Sequence, residues 1–166
     1  SKSSIHARRG TAAHEAAADI LENDRDVTWA KGKKFEADGE KIEIDDDLLT
    51  MIQFYFDYIR SLPGTKFYET RVTVECIENC YPTADAIAID FETGTLEMCD
   101  LKTGAGVIVG AAHNTQLMCY TLGAWYAYRD LCDITTFKAT IVQPAYGTST
   151  FEMSIHDLMA FESALK

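Results

Sequence analysis

Long hydrophobic runs are absent from this sequence. No stretch approaches the roughly 18 consecutive apolar residues that a membrane-spanning helix needs, so no membrane partner is expected. The opening SKSSIHARRG has no apolar core of the kind a secretory signal carries. The five cysteines are an odd count at irregular spacing, which does not make a disulfide framework. The thiols are therefore expected to be reduced and the protein cytoplasmic. Proline is scarce: Pro63, Pro82 and Pro144 are the three present, and each falls where a periodic segment ends. Basic residues are few as well, 15 Lys and Arg against 26 Asp and Glu, for a net charge of −11. An acidic surface repels phosphates, which argues against binding nucleic acid over a broad face.

What is present is ordinary globular composition. Over 166 residues, 47% are hydrophobic, 25% charged and 11% aromatic, which excludes disorder and collagen. One domain over residues 1–166 is expected, with residues 1–8 read as a disordered or extraneous tail. The charge is uneven. Residues 1–34 hold seven basic and five acidic side chains, while residues 35–166 hold eight and 21. Any phosphate-binding patch is thus local, and the acidic excess suits a site that gathers divalent cations.

The periodicity predicts a helix over 9–22, with Thr11 as a cap and Ala12, Ala13, Ala16, Ala17 and Ala18 favouring it. Residues 23–44 read as a loop or a weak hairpin. A second helix is predicted over 46–62, where Leu48, Met51, Ile52, Tyr55, Ile59 and Leu62 fall at helical spacing. The period then changes to two, giving strands over 67–77, 84–91 and 96–102, the last two joined by a turn at Glu92–Thr95. A long helix over 107–129, a strand over 135–142 and a helix over 155–165 complete the chain. The fold class is α/β: a mixed sheet of about four strands flanked by helices, the fourth strand brought alongside by the long crossover helix.

Four short patterns can carry chemistry. Asp100 and Lys102 alternate on one strand, so they face the same way, and Lys102 can sit beside a metal held by Asp100. Alone, the triplet also describes an exposed Asp/Lys pair at a strand end. Asp85 opens the preceding strand, and the hairpin through Gly94 can bring it near Asp100, although a turn-capping aspartate reads the same way. Two close carboxylates raise each other's proton affinity unless a cation intervenes. Gly10 and His14 share a helix face, Gly10 leaving room beside the imidazole, and so do Gln116 and Tyr120, which can hydrogen-bond a phosphate or sugar. An ordinary surface or core histidine fits the first pair as well, and a packed helix with a polar rim fits the second.

Taken in order, GTAAH, PTADAIAID, EMCDLKTG and QLMCY resemble the PD-(D/E)XK nuclease superfamily, specifically its RecB-like branch, which includes the lambda-type phage exonucleases. They are closer still to a phage and prophage family within that branch. The resemblance covers about residues 8–125. It implies a restriction-endonuclease-like core, with His14, Asp85, Asp100 and the carbonyl of Leu101 as ligands of Mg²⁺ or Mn²⁺. It further implies Lys102 as the catalytic lysine, Gln116 and Tyr120 as DNA contacts, and Glu69 as an acidic residue near the site. Arg8 and Arg9, ahead of the His14 helix, could hold a DNA phosphate or be an ordinary solvated pair. One departure is Pro82, where the family often has glycine. No iron–sulfur cluster is expected, because Cys76, Cys80, Cys99, Cys119 and Cys132 lie inside core elements and there is no cysteine near His14 and no C-terminal CxxC group.

The implied function is metal-dependent hydrolysis of DNA phosphodiesters by an exonuclease of phage recombination or DNA processing, acting in the host cytoplasm. The implied partners are DNA and a phage recombination or processing protein, with an oligomer allowed. The rivals are a structure-specific endonuclease, a non-catalytic DNA-binding or assembly protein on the same fold, and a hydrolase of small phosphate esters. The net charge of −11 favours the non-catalytic reading, and the intact Asp85, Asp100 and Lys102 set speaks against it.

Overall fold

The computed structural model describes residues 3–166. Two compact units emerge. The first comprises residues up to Ser61 together with Leu101–Ile108 and Val142–Gly147, and the second comprises Leu62–Asp100, Val109–Ile141 and Thr148–Lys166.

In the first unit, α1 (Ile5–Glu22) begins four residues earlier than its periodicity predicts, because the Ser4 side chain caps it by accepting from the Ala7 N–H at 3.1 Å. It therefore takes in half of the stretch read as a tail; residues 1 and 2 of that stretch lie outside the described residues. Its buried face is Gly10, Ala12, Ala13, Ala16, Ala17, Ile20 and Leu21. The stretch after it resolves into a 3₁₀ turn (Val27–Ala30) and a hairpin of β1 (Lys34–Ala37) and β2 (Glu40–Glu43). Asp38 and Gly39 have φ of 50° and 79°, the left-handed pair that a two-residue hairpin turn requires. Helix α2 (Asp46–Ser61) buries Leu48, Ile52, Tyr55 and Ile59, close to the predicted stripe, and packs on α1. Asp46 and Asp47 in its first turn and Arg60 in its last oppose the helix dipole favourably.

The second unit supplies most of a five-stranded sheet, in the order β3 (Thr65–Arg71), β4 (Thr83–Asp90), β5 (Thr95–Leu101), β6 (Thr136–Gln143), β7 (Gly147–Ser154). β3, β4 and β5 form an antiparallel meander. At the start of β5 the Gly94 carbonyl accepts from the Thr135 and Thr136 N–H groups, and past its end the Lys102 N–H donates to the Val142 carbonyl. Matching ends means that β5 and β6 run parallel, as the crossover through α3 (Thr115–Tyr128) requires. The α/β class with a mixed sheet is as expected, with five strands rather than four. Ile87, Ile89, Leu96, Met98 and Phe137 are fully buried in its core with Leu122 of α3. Each such side chain contributes up to about 1.5–3 kcal/mol. Helix α4 (Ile155–Leu165) starts at a reciprocal cap between Ser154 and Asp157.

Two predicted elements are shorter than their patterns. β3 stops at Arg71 rather than 77, because the chain turns back on itself through Val72 N–H to Pro82 O and Val74 N–H to Cys80 O. Helix α3 starts at Thr115 rather than 107. Gly104, Gly106 and Gly110 interrupt the apolar run, His113 takes φ 56°, and Asn114 supplies the cap by accepting from the Leu117 N–H at 3.1 Å. Among the described residues no helix is long and apolar enough to cross a membrane.

Candidate functional site

The second unit lines up three carboxylates. The β4–β5 register pairs Ala86 with Cys99, so the next step along it sets Asp85 opposite Asp100. The β3–β4 register pairs Tyr68 with Ala86 and Thr70 with Ala84, which leaves Glu69 opposite Asp85. Glu69, Asp85 and Asp100 thus occupy one row across three strands. Asp100 is only 8% exposed, Asp85 is half-buried, and Glu69 is exposed with φ 47°, a left-handed residue inside a strand. Backbone in that region costs on the order of 1–3 kcal/mol and collects at functional sites. The neighbouring Cys99 thiol registers the same crowding. Burial pushes it well above its usual range, and the charges of Glu97, Asp85 and Asp100 push it further in the same direction.

The first unit holds the imidazole. His14, half-buried on α1, has Nδ1 at 2.8 Å from the Gly10 carbonyl and Nε2 at 2.8 Å from the Leu101 carbonyl. A neutral imidazole has one N–H and one lone pair. If Nδ1–H is donated to Gly10, the Nε2 lone pair meets the oxygen of Leu101 at the same distance. Two lone pairs face each other comfortably only with a cation beside them or with the ring protonated. Neighbouring ligands on an octahedral ion with bonds of about 2.1 Å stand about 3.0 Å apart, close to this spacing. A ring nitrogen bonded to a main-chain carbonyl is also the usual second-shell support of a metal-ligating histidine. A Cβ at Gly10 would lie 2.7 Å from Thr103 Oγ1, so the glycine leaves room for that side chain.

Lys102 follows two residues after Asp100, half-buried, with its main chain fixed by the 2.9 Å bond to Val142. Gln116 and Tyr120 are brought together on α3, the Gln116 amide donating to the Tyr120 hydroxyl at 3.0 Å. Arg9 is engaged elsewhere: its guanidinium makes two bonds to Asp45, at 2.7 and 3.2 Å. It also borders a cavity of about 440 Å³ lined by His6, Leu48, Met51 and the Thr103–Gly106 loop. Among the described residues no three His, Cys, Asp or Glu side chains are already gathered as a metal cage.

A family model described as "Protein of unknown function (DUF2800)" matches residues 1–166. The chain belongs to the DUF2800 family. No solved structure matches it.

In this DUF2800 chain the second unit carries the row of carboxylates and the first the imidazole against a main-chain carbonyl; oxygen and imidazole groups are of the chemical kind that Mg²⁺ or Mn²⁺ accepts. Sequence reasoning missed two buried polar residues that brace the region. Glu97, 7% exposed, accepts from Thr140 Oγ1 at 3.1 Å and from the Cys99 thiol at 3.6 Å. Gln143, 3% exposed, donates to the carbonyls of Gly104 and Val107, both at 2.8 Å. A second acidic residue beside Asp100 inside the apolar LEMCDL strand was the available signal for Glu97. For Gln143 the end of TIVQ, just before Pro144, gave none.

Proposed function

We propose that this DUF2800 chain is a divalent-metal-dependent deoxyribonuclease of the PD-(D/E)XK type, RecB-like branch, that hydrolyses DNA phosphodiester bonds. We further propose that it works as an exonuclease in phage DNA recombination or processing. The observation that carries the reading is the contact of His14 Nε2 with the Leu101 carbonyl at 2.8 Å, with Nδ1 held by Gly10. The row of Glu69, Asp85 and Asp100 and the order of the four motifs support it.

In this reading His14, Asp85, Asp100 and the Leu101 carbonyl would hold Mg²⁺ or Mn²⁺, with Glu69 an accessory carboxylate. The ion would polarise the scissile phosphate and make bound water more acidic. Lys102 would donate a hydrogen bond to the attacking water or to the phosphate oxygen on which negative charge grows. Water adds to phosphorus as the bond to the leaving sugar oxygen breaks, giving a phosphate monoester and a free hydroxyl. Gln116 and Tyr120, one donor pair on one helix face, would steady the strand. Arg9 would reach DNA only by exchanging Asp45 for a phosphate.

The test is digestion of linear and covalently closed circular DNA with Mg²⁺, Mn²⁺ or EDTA, beside Lys102→Ala. Metal-dependent loss of linear DNA alone, reduced at least about 100-fold in Lys102→Ala, is the expected result. Cutting of the circle as well would indicate the endonuclease. Full activity in Lys102→Ala would remove the catalytic assignment. Absence of digestion by a folded protein that still binds DNA would leave the non-catalytic reading. Mn²⁺ binding measured by calorimetry on His14→Ala checks the ligand set independently, with weaker binding of about 10-fold or more expected.

A further inference from the structure

Three of the five cysteines meet inside the second unit. Cys76 and Cys80 lie between β3 and β4, where the chain doubles back. The Val74 N–H donates to the Cys80 carbonyl at 3.0 Å, the Ile77 N–H donates to the Val74 carbonyl at 2.9 Å, and Asn79 turns the chain at φ 57°. Helix α3 packs over the start of this segment: a Cβ at Gly123 would lie 2.7 Å from Val72 Cγ2 and 3.5 Å from the Thr73 carbonyl oxygen. Cys119 sits one turn earlier on the same face of that helix. Cys76, Cys80 and Cys119 are all half-buried against the same apolar core.

The Cys119 thiol registers these neighbours. Burial pushes it up first, and the charges of Cys80 and then of Cys76 push it further. A charge acts in this way only on a group a few ångströms off. The three sulfurs are free thiols and are not gathered as a metal cage, so the chemistry open to them is that of two thiols. A disulfide needs Cα atoms within about 7 Å of each other. The turn carrying Cys80 lies outside helix and strand, so it can adjust where α3 cannot. Exposed Glu75, Glu78 and Asn79 flank it, which leaves it open to a small reagent.

We propose that Cys80 and Cys119 are a site of reversible oxidation, closing an intramolecular disulfide by exchange with a low-molecular-weight disulfide such as oxidised glutathione. The Cys80 thiol gives up its proton and attacks one sulfur of oxidised glutathione. The S–S bond of the reagent breaks, and the leaving thiolate takes up that proton. Cys119, which burial keeps protonated longer, acts second. Its sulfur attacks the Cys80 sulfur of the mixed disulfide, and the second glutathione leaves with the Cys119 proton. Two protein thiols are oxidised to one disulfide, and one oxidised glutathione is reduced to two thiols. The bond ties the segment between Glu69 and Asp85 to the helix that carries Gln116 and Tyr120. The inference goes beyond the nuclease reading and does not depend on it.

The experiment treats the whole chain with excess oxidised glutathione, blocks remaining thiols with N-ethylmaleimide, and maps peptides by mass spectrometry without reductant. Cleavage after Glu75, Glu78, Lys102 and Arg129 by trypsin with a glutamate-specific protease puts each cysteine on its own peptide. The expected product is one link, between the Cys80 and Cys119 peptides, with loss of two hydrogens and full reversal by dithiothreitol. The oxidised chain should melt about 5 °C or more above the reduced one. Cys80→Ala and Cys119→Ala should each lose the link and the shift, while Cys76→Ala keeps both. Unchanged far-UV circular dichroism of the reduced variants shows that they fold. In urea the pairings should scramble. A Cys76–Cys80 link, glutathione adducts without a link, a bond between two chains, or the same dominant link in urea overturns the proposal.

Discussion

Arg9 and Asp45 show how a residue's neighbours redirect it. Ahead of the His14 helix, Arg9 reads as a candidate for phosphate, yet its two guanidinium bonds go to Asp45. Those bonds first, and the Leu48 N–H second, hold the Asp45 carboxyl below its ordinary value. The unfolded chain binds that proton more readily, so the contribution to stability is complete above about pH 4 and is lost as pH falls through the lower folded value. Asp45→Asn should therefore lower the urea midpoint at pH 7 and narrow the difference between pH 7 and pH 3. An Asn variant whose midpoint falls with acid as steeply as the parent's would show that other carboxylates carry the acid response. The pair is partly exposed, so the effect at neutral pH should be modest. The Gln116–Tyr120 pairing was legible at this scale, whereas the room at Gly10, expected beside His14, is taken by the Thr103 side chain. The Leu101 oxygen was reached through the family resemblance alone, because no composition or period marks a main-chain carbonyl.

At the scale of elements, legibility followed the strength of the apolar pattern. Helix α2 and strands β4 and β5 lie within a residue or so of their predicted limits, since α2 buries a regular stripe and the two strands are buried along most of their length. Strand β7 was not predicted. GTSTFEMS has two inward apolar residues, Phe151 and Met153, and places Ser149 at the third inward position, where its hydroxyl accepts from the Ala111 N–H. Helix α3 was predicted too long because Val107, Ile108 and Val109 resemble a helical core, while their surroundings make them a loop. Its packing hangs on Gly123, where a Cβ would lie 2.7 Å from Val72 Cγ2 and 3.1 Å from Val72 Cβ. Gly123→Ala gains about 1 kcal/mol of helix propensity. Overpacking against a fully buried side chain costs about 1–3 kcal/mol. Net destabilisation of up to about 2 kcal/mol is expected in denaturant unfolding. A more stable Gly123→Ala protein would mean that Val72 yields freely.

At the scale of the whole molecule, neither unit is a continuous piece of chain. The backbone passes from one to the other after Ser61, Asp100, Ile108, Ile141 and Gly147. Strands β5 and β6 each change unit within their own length, so loss of either unit strips the other of strand ends. One cooperative transition is expected. The two tryptophans provide a direct check, because Trp29 belongs to the first unit and Trp125 to the second. Single-tryptophan proteins, Trp125→Phe and Trp29→Phe, should unfold with coincident midpoints when each is corrected for its own stability by circular dichroism. Two separated fluorescence transitions would establish independent units.

That discontinuity also sets a timetable during synthesis. The segment ending at Ser61 leaves the ribosome with its two helices and hairpin, but the strand ends that complete its unit arrive only with Gly147. At about 5–20 residues per second the delay is on the order of ten seconds. For that interval α1, α2, the 3₁₀ turn and the hairpin have only one another to pack against, and a nascent chain in that condition is a natural client for a holding chaperone.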